Sequence, residues 1–298
     1  MKVRFWGVRG SIPSPGPQTQ RYGGNTTCIE VRGDDGTLII LDAGTGIFPL
    51  AQQLLRQLPV QANVFMTHTH WDHIQGLPFF TPLYIPGNSV RIHGGYDIVS
   101  GRGIDQVMEV QLQYSYFPVR EAEMNARIEY RTVAAGDSVS VGDVVVTPLL
   151  LNHPVVNFGY RVDCNGKSAF FTGDHEPWPN IYDPNDEEHA GYQQMIDQLQ
   201  GQLDHALAGL DLMIADSSYT ASEYPTKVGW GHGTLESSID WARRLGVKTL
   251  VCTHHEPTRS DDDLDKAFAQ ACATTGHQPD QPGEPRVMLA REGLELVL

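Results

Sequence analysis

The chain has 298 residues and a net charge of −15, from 21 Lys and Arg against 36 Asp and Glu. This length suits one large domain, 1–298, better than two. So acidic a surface repels nucleic-acid backbones and anionic membranes, so we expect neither a large nucleic acid nor a membrane as partner. The sequence has no long apolar span and no signal-peptide core, and its four cysteines form no C-x-x-C pair, so we expect a cytoplasmic protein.

Short apolar segments bounded by Gly, Asp, Asn or Pro recur along the chain and predict β-strands. In chain order they are 3–6, 27–31, 38–41, 64–66, 90–93, 128–133, 138–141, 144–150, 158–162, 169–172, 212–215, 249–252 and 287–290. Four segments between them have helical periodicity, at 47–58, 187–207, 234–245 and 261–274.

Several predicted strands follow each other with only a turn between them, which a purely parallel sheet does not allow. We therefore predict an α/β fold, a four-layer αββα sandwich of two mixed β-sheets flanked by helices. Residues 94–125 show no clear pattern and carry Tyr114, Tyr116 and Phe117, so we predict an insertion there. Such insertions often lie over active sites or make subunit contacts, so a homodimer is one possibility, and a surface excursion with its own small core is the alternative.

The segment 68–73 (HTHWDH) directly follows a predicted strand. His68 and His70 are two positions apart on extended backbone, so their rings point to the same side and can hold one metal ion. Asp72 and His73 follow where the chain turns into a helix, and they can face a second metal ion. The alternatives are a histidine-rich surface loop and a single structural metal site.

Three more candidate ligands follow predicted strands. His153 comes after strand 144–150, Asp174 after strand 169–172, and His254 after strand 249–252. A carboxylate has two oxygens, so Asp174 can bridge two metal ions. Each of these residues alone has a simpler explanation, because polar residues commonly end strands.

The order H-x-H-x-D-H, then His, then Asp, then His resembles the metal signature of the metallo-β-lactamase superfamily, whose fold is the αββα sandwich. The resemblance spans nearly the whole chain. It implies one metal ion on His68, His70, His153 and Asp174, and a second on Asp72, His73, Asp174 and His254. His255 is the alternative to His254, and Asp42 would orient ligands. Mixed His and Asp ligands favour two divalent ions, zinc first, with manganese or iron as alternatives.

The segment 231–234 (GHGT) precedes a predicted helix and resembles the His-x-Thr element of ribonuclease Z-like phosphodiesterases. Asp216 is similar to the acidic residue that partners that histidine. The redox branch of the superfamily usually has Glu where this chain has His70, which weighs against that branch. Phosphodiester hydrolysis needs an activated water and an acid for the leaving oxygen, roles that Asp72 and His232 can fill.

We therefore predict a metal-dependent hydrolase with a binuclear metal site, a phosphodiesterase that acts on small, cyclic phosphodiesters by attack of a metal-bound hydroxide. The chain lacks the basic arm with which ribonuclease Z grips tRNA, so the expected substrate is a small anion. The alternatives are a lactone, thioester or carboxylic ester hydrolase on the same metals, and a metal-binding sensor with little turnover.

Overall fold

The computed structural model describes residues 1–279 and 281–298. Its strands are β1 (Lys2–Gly7), β2 (Cys28–Arg32), β3 (Leu38–Leu41), β4 (Gln61–Phe65), β5 (Ser89–Gly94), β6 (Arg127–Thr132), β7 (Val139–Val141), β8 (Val144–Leu151), β9 (Asn157–Cys164), β10 (Lys167–Phe171), β11 (Leu212–Asp216), β12 (Thr249–Thr253), β13 (Arg286–Leu289) and β14 (Glu295–Val297). Its α-helices are α1 (Ile47–Leu54), α2 (Trp71–Ile74), α3 (Ile104–Gln111), α4 (His189–Leu207), α5 (Leu235–Leu245) and α6 (Asp261–Thr274).

The strands form two seven-stranded mixed sheets, in the orders β14-β1-β2-β3-β4-β5-β6 and β13-β12-β11-β10-β9-β8-β7. In the first sheet β3 to β6 are parallel, and in the second β10 to β13 are parallel. Strand β8 runs in the same direction as β10, because each is antiparallel to β9. Since strands that run in one direction end at the same edge of a sheet, the segments that follow β8, β10, β11 and β12 meet at one edge.

Apolar side chains fill three layers between the elements. The layer between the sheets includes Phe5, Phe65 and Tyr160. On the outer face of the first sheet, α1 and α3 contribute buried residues such as Leu50 and Met108. On the outer face of the second sheet, the buried residues of the last three helices include Leu203, Ile239 and Leu264. The predicted αββα sandwich is thereby confirmed.

The structure also differs from the predicted elements. Helix α1 ends at Leu54, four residues earlier than predicted, because Pro59 disfavours helical backbone at the residue before it and the chain turns ahead of it. Strand β14 was not predicted, since three residues give too short a pattern. Helix α3 lies inside 94–125, where no helix was predicted. That this segment is an insertion, and that 1–298 form a single domain, stay predictions. Across 1–279 and 281–298, none of the helices combines the length and apolar character that a membrane span requires.

Candidate metal centre

Loops at the facing edges of the two sheets carry the residues of the centre. His68 and His70 lie on the segment after β4, and Asp72 and His73 lie in the first turn of α2. The remaining predicted residues follow strands of the second sheet and are His153, Asp174, His232 and His254. The structure brings all of the predicted metal-ligating residues together in two groups that share Asp174.

The first group consists of three histidines around one oxygen of Asp174. His70 Nδ1 lies 3.1 Å from His153 Nε2. Asp174 Oδ2 lies 3.5 Å from His68 Nε2 and 3.8 Å from His153 Nε2. Three imidazole nitrogens and a carboxylate oxygen are ligands that suit a divalent transition metal.

The second group surrounds the other oxygen of Asp174. Oδ1 of this residue lies 3.1 Å from both His73 Nε2 and His254 Nε2. Asp72 Oδ2 lies 3.3 Å from His73 Nε2 and 3.2 Å from His254 Nε2. Asp174 thus gives one oxygen to each group, an arrangement that suits a carboxylate bridging two cations.

Buried atoms without partners show that these groups fit cations. Among the residues described, His68 Nε2, His73 Nε2 and Asp174 Oδ1 are buried and make no hydrogen bond of suitable angle, although Asp174 Oδ1 lies 3.1 Å from His73 Nε2. A buried polar atom left unpaired costs about 1–3 kcal/mol. All three atoms point into the ligand groups, so divalent cations bound there would satisfy them.

The far nitrogens of four histidines are held by neighbouring groups. Thr67 Oγ1 lies 3.1 Å from His68 Nδ1, and Asp42 Oδ2 lies 2.7 Å from His73 Nδ1. In the same way, His153 Nδ1 pairs with the carbonyl of Gly231 at 2.9 Å and His254 Nδ1 with Ser218 Oγ at 2.9 Å. These bonds orient each Nε2 towards its ligand group, which is how outer partners tune a metal site. Asp42 is fully buried, as expected for an orienting residue.

Burial and charge pull the pKa values of these histidines in different directions. Burial lowers the pKa of His68 well below its usual value, which keeps the imidazole neutral and ready to bind a metal. Burial also disfavours charge on His73, but the carboxylates of Asp174, Asp72 and Asp42 outweigh it and raise its pKa well above normal. A metal ion on His73 Nε2 therefore displaces a proton.

His232 lies beside both groups and is held by Asp216. Its Nδ1 donates to Asp216 Oδ2 at 2.9 Å and lies 3.8 Å from Asp174 Oδ2. Its ring stacks on that of His254, with 4.9 Å between centroids. Burial alone would lower the pKa of His232, but the Asp216 and Asp174 carboxylates outweigh burial and raise this pKa to about 9. In the metal-free centre these carboxylates favour the protonated imidazolium form of His232.

His255, the alternative to His254, lies outside both groups. Its Nε2 pairs with the carbonyl of Ala290 at 2.8 Å, and burial lowers its pKa to about 3. His254 has a positive φ of 60°, and its Nε2 lies 3.2 Å from Asp72 Oδ2 and 3.1 Å from Asp174 Oδ1.

Two residues that support the centre were not predicted as functional. The buried Glu176 accepts hydrogen bonds from Tyr224 Oη at 2.6 Å and from the backbone N–H of Gly229 and Gly231 at 2.8 Å each, so it holds the loop that leads to His232. The backbone N–H of Ser11 donates to Asp72 Oδ2 at 2.7 Å. The sequence offered one signal for Glu176, namely that it lies two residues after Asp174 in the same loop. It offered none for Ser11, because Ser11 and Asp72 are far apart in the chain and no local pattern predicts their contact.

Solved structures share this fold over the whole chain. The crystal structure of unliganded yeast PDE1 has a TM-score of 0.67 and 17% sequence identity, and the similarity covers 100% of this chain and 99% of that one. At 17% identity this similarity is evidence for a shared fold alone.

Curated relatives with the name ribonuclease Z match most of the sequence. The protein from Haloarcula marismortui is 23% identical over 327 residues, covering 99% of this chain and 96% of the relative. The protein from Staphylococcus haemolyticus is 22% identical over 288 residues, covering 85% and 88% respectively.

These relatives show that one prediction of partners was wrong, namely that no large nucleic acid is a partner. Ribonuclease Z, by its name, acts on RNA, and the match covers nearly full length. The physical error lay in using net charge as a filter. A charge of −15 averages over the whole chain, whereas a phosphate meets only the local field of the centre.

The family model that describes a beta-lactamase superfamily domain matches residues 37–255, which include every residue of the two ligand groups. The fold of this family implies divalent metal ions, in keeping with the ligand groups. The chain therefore belongs to the beta-lactamase superfamily and is a metal-dependent hydrolase of the metallo-β-lactamase fold.

Proposed function

We propose that the chain is a phosphodiesterase with a binuclear metal site, with zinc as the first candidate metal. His68, His70, His153 and Asp174 would hold one ion, and Asp72, His73, His254 and Asp174 the other. When bound, the two ions would supply positive charge against the phosphoryl oxygens and lower the pKa of a water. Asp72 is the candidate residue to orient that water, because Ser11 N–H fixes the carboxylate at the second ligand group.

The paired His232 and Asp216 carry the proposal. Since His232 Nδ1 donates to Asp216, the other ring nitrogen is the one available to a substrate. The side chain of His232 is 13% exposed, so it is reachable from solvent, whereas all four residues of the second ligand group are buried. A protonated imidazole there can give its proton to a leaving alkoxide, which ester hydrolysis with a good leaving group does not require.

Two substrate classes follow from this site. Small, cyclic phosphodiesters are the class that the sequence resemblance implies. RNA is the second candidate, because relatives that match most of the chain are named ribonuclease Z. A lactone, thioester or carboxylic ester hydrolase would use the same ligand groups without His232, and a sensor would show no turnover.

The test compares His232→Ala with the wild type after metal content is measured. We expect hydrolysis of a 2′,3′-cyclic nucleotide to fall by roughly 10²- to 10⁴-fold with metal content unchanged. Hydrolysis of bis(p-nitrophenyl) phosphate should fall less, since p-nitrophenolate leaves without a proton. His205→Ala, at an exposed position of α4, is the matched control and should behave as the wild type.

The same experiment separates the alternatives. Full activity of His232→Ala on the cyclic nucleotide would show that His232 is not the acid. Turnover of lactones or thioesters without any phosphodiester turnover would select the second enzyme class. An RNA with a 3′ extension, assayed beside the cyclic nucleotide, decides between the two phosphodiester substrates.

A further inference from the structure

An apolar groove adjoins the first ligand group. Its volume is about 520 Å³, and its walls include Val99, Leu150, Val156, Trp178 and Leu203. The lining comes from the segment between β5 and α3, from the turn between β6 and β7, from β8 and the loop after it, from the loop after Asp174, and from α4. The groove is thus built by five separate parts of the chain, and its size lies in the range of small-molecule sites.

His153 belongs to both the groove and the centre. His153 is among the residues that line the groove, and its nearly buried side chain has Nε2 at 3.1 Å from His70 Nδ1 and Nδ1 at 2.9 Å from the carbonyl oxygen of Gly231. The position of His153 is therefore set by the centre. Because His153 belongs to both, a phosphate at the first ligand group would lie beside one end of the groove, and a substituent directed to that side would meet its apolar walls.

The groove presents apolar surface to solvent. Val99 is 78% exposed and Leu150 is 54% exposed, both at the groove. Contiguous exposed apolar surface on a protein commonly marks a binding site. The lining contains no Lys, Arg, Asp or Glu among the residues described, and its polar side chains are Asn152, His153 and Gln202. A second phosphate therefore finds no cation there, so the group that fits is uncharged.

We propose that this groove binds an uncharged aromatic ring, of the aryl or nucleobase type, that is attached to the phosphate at the centre. This inference rests on the proposed phosphodiesterase function and names the substrate class of that site. Trp178 offers an aromatic wall, and bases stack on aromatic side chains in a way that tolerates different bases. A nucleobase next to the scissile phosphate fits both a cyclic nucleotide and an RNA.

Binding is measured first, because it does not depend on turnover. The probes are phenyl phosphate and methyl phosphate, titrated calorimetrically into the zinc-loaded protein. Both carry the same phosphate, so the ratio of their dissociation constants isolates the groove. We expect phenyl phosphate to bind about tenfold tighter or more, because the ring removes apolar surface from water.

Two variants place a charge in the groove at exposed positions, Leu150→Glu and Val99→Glu. Each should reduce the ratio of the two dissociation constants to less than about threefold, because an apolar ring bound there would take water away from the carboxylate at a cost in free energy. The matched control is Ile181→Glu, a 68% exposed apolar residue that does not line the groove, and it should keep the wild-type ratio. Circular dichroism checks that each variant is folded.

The outcomes separate the two proposals. A ratio near one in the wild type, or an unchanged ratio in both folded variants, overturns the groove assignment. If Val99→Glu instead converts a dimer to a monomer in sedimentation while the ratio is near one, the groove is a subunit contact. If the ratio is large and is lost in the variants but no phosphodiester is hydrolysed, the groove stands and the phosphodiesterase function fails.

Discussion

Gly10 lies directly under the ring of His254, and its replacement should remove one metal ion selectively. A Cβ atom at this position would lie 2.3 Å from Cε1 and from Nδ1 of His254. Atoms in ordinary contact are at least about 3.4 Å apart, so the ring must move by about 1 Å in Gly10→Ala. His254 cannot move freely, because Ser218 Oγ contacts both its Nδ1 and its carbonyl oxygen.

A shift of 1 Å is large for a metal site, where ligand distances are held within about 0.2 Å. Of the two ligand groups, His254 belongs to the second alone, and the three atoms nearest to a Cβ at Gly10 all belong to the ring of His254. We therefore expect Gly10→Ala to lower the affinity for the metal ion of the second ligand group by roughly 10- to 100-fold or more, the range seen when outer contacts of a ligand are disturbed. The first ion should bind as before.

The assay is competitive zinc titration against a chelator, with metal content from mass spectrometry after dialysis. The wild type should hold two ions and Gly10→Ala one. Gly16→Ala is the matched control in the same loop, since a Cβ there meets nothing within 4 Å and the backbone is extended. Two ions with wild-type affinity in Gly10→Ala would refute the assigned role of His254.

Three further predictions concern groups around the centre. Asp216→Asn removes the charge that raises the pKa of His232, so turnover of a 2′,3′-cyclic nucleotide should fall by roughly 10²-fold and that of bis(p-nitrophenyl) phosphate by less. Glu176→Ala leaves three donors of the loop 224–231 unpaired, so urea unfolding should show a loss of about 2–4 kcal/mol, with Glu176→Gln intermediate. Burial, with Arg131 and Arg91, lowers the pKa of His93 from 6.5 to about 4. Between pH 6.5 and 4 the unfolded chain therefore binds a proton at this histidine that the folded chain does not, so the free energy of unfolding falls as the pH falls. Between pH 7 and 4.5, the free energy of unfolding of metal-free His93→Phe should fall by about 2–3 kcal/mol less than that of the metal-free wild type, as measured by urea unfolding.

The convergence of residues that are far apart in the chain could be predicted from their positions at the ends of strands. His153, Asp174 and His254 each follow a predicted strand, and the strands β8, β10 and β12 run in one direction. Residues that follow such strands meet at one edge whatever their separation in sequence. A strand pattern is therefore enough to predict that these side chains converge, although it does not give their distances.

Orientation and long-range support could not be predicted in this way. The choice between His254 and His255 depends on a backbone φ of 60° at His254, which no residue pattern specifies. Ser11 and Asp42 share that feature, with φ of 59° and 61°, and both contact residues of the second ligand group. Uncommon backbone conformations of this kind cluster at functional sites, where the surrounding structure enforces them.

The acidic composition misled the prediction of partners for a reason that the centre makes clear. Asp42, Asp72, Asp174 and Asp216 count towards the net charge, yet all four are buried and face histidines. Charges on the outer surface are screened by salt beyond about 8–10 Å. The binding of a phosphate at the centre would therefore depend on the charges of the cations and imidazoles around it. The binding of the rest of the substrate molecule would depend on the residues that it contacts. Beside His153 the groove walls are uncharged, so discrimination there depends on apolar contact and not on the average charge of the chain.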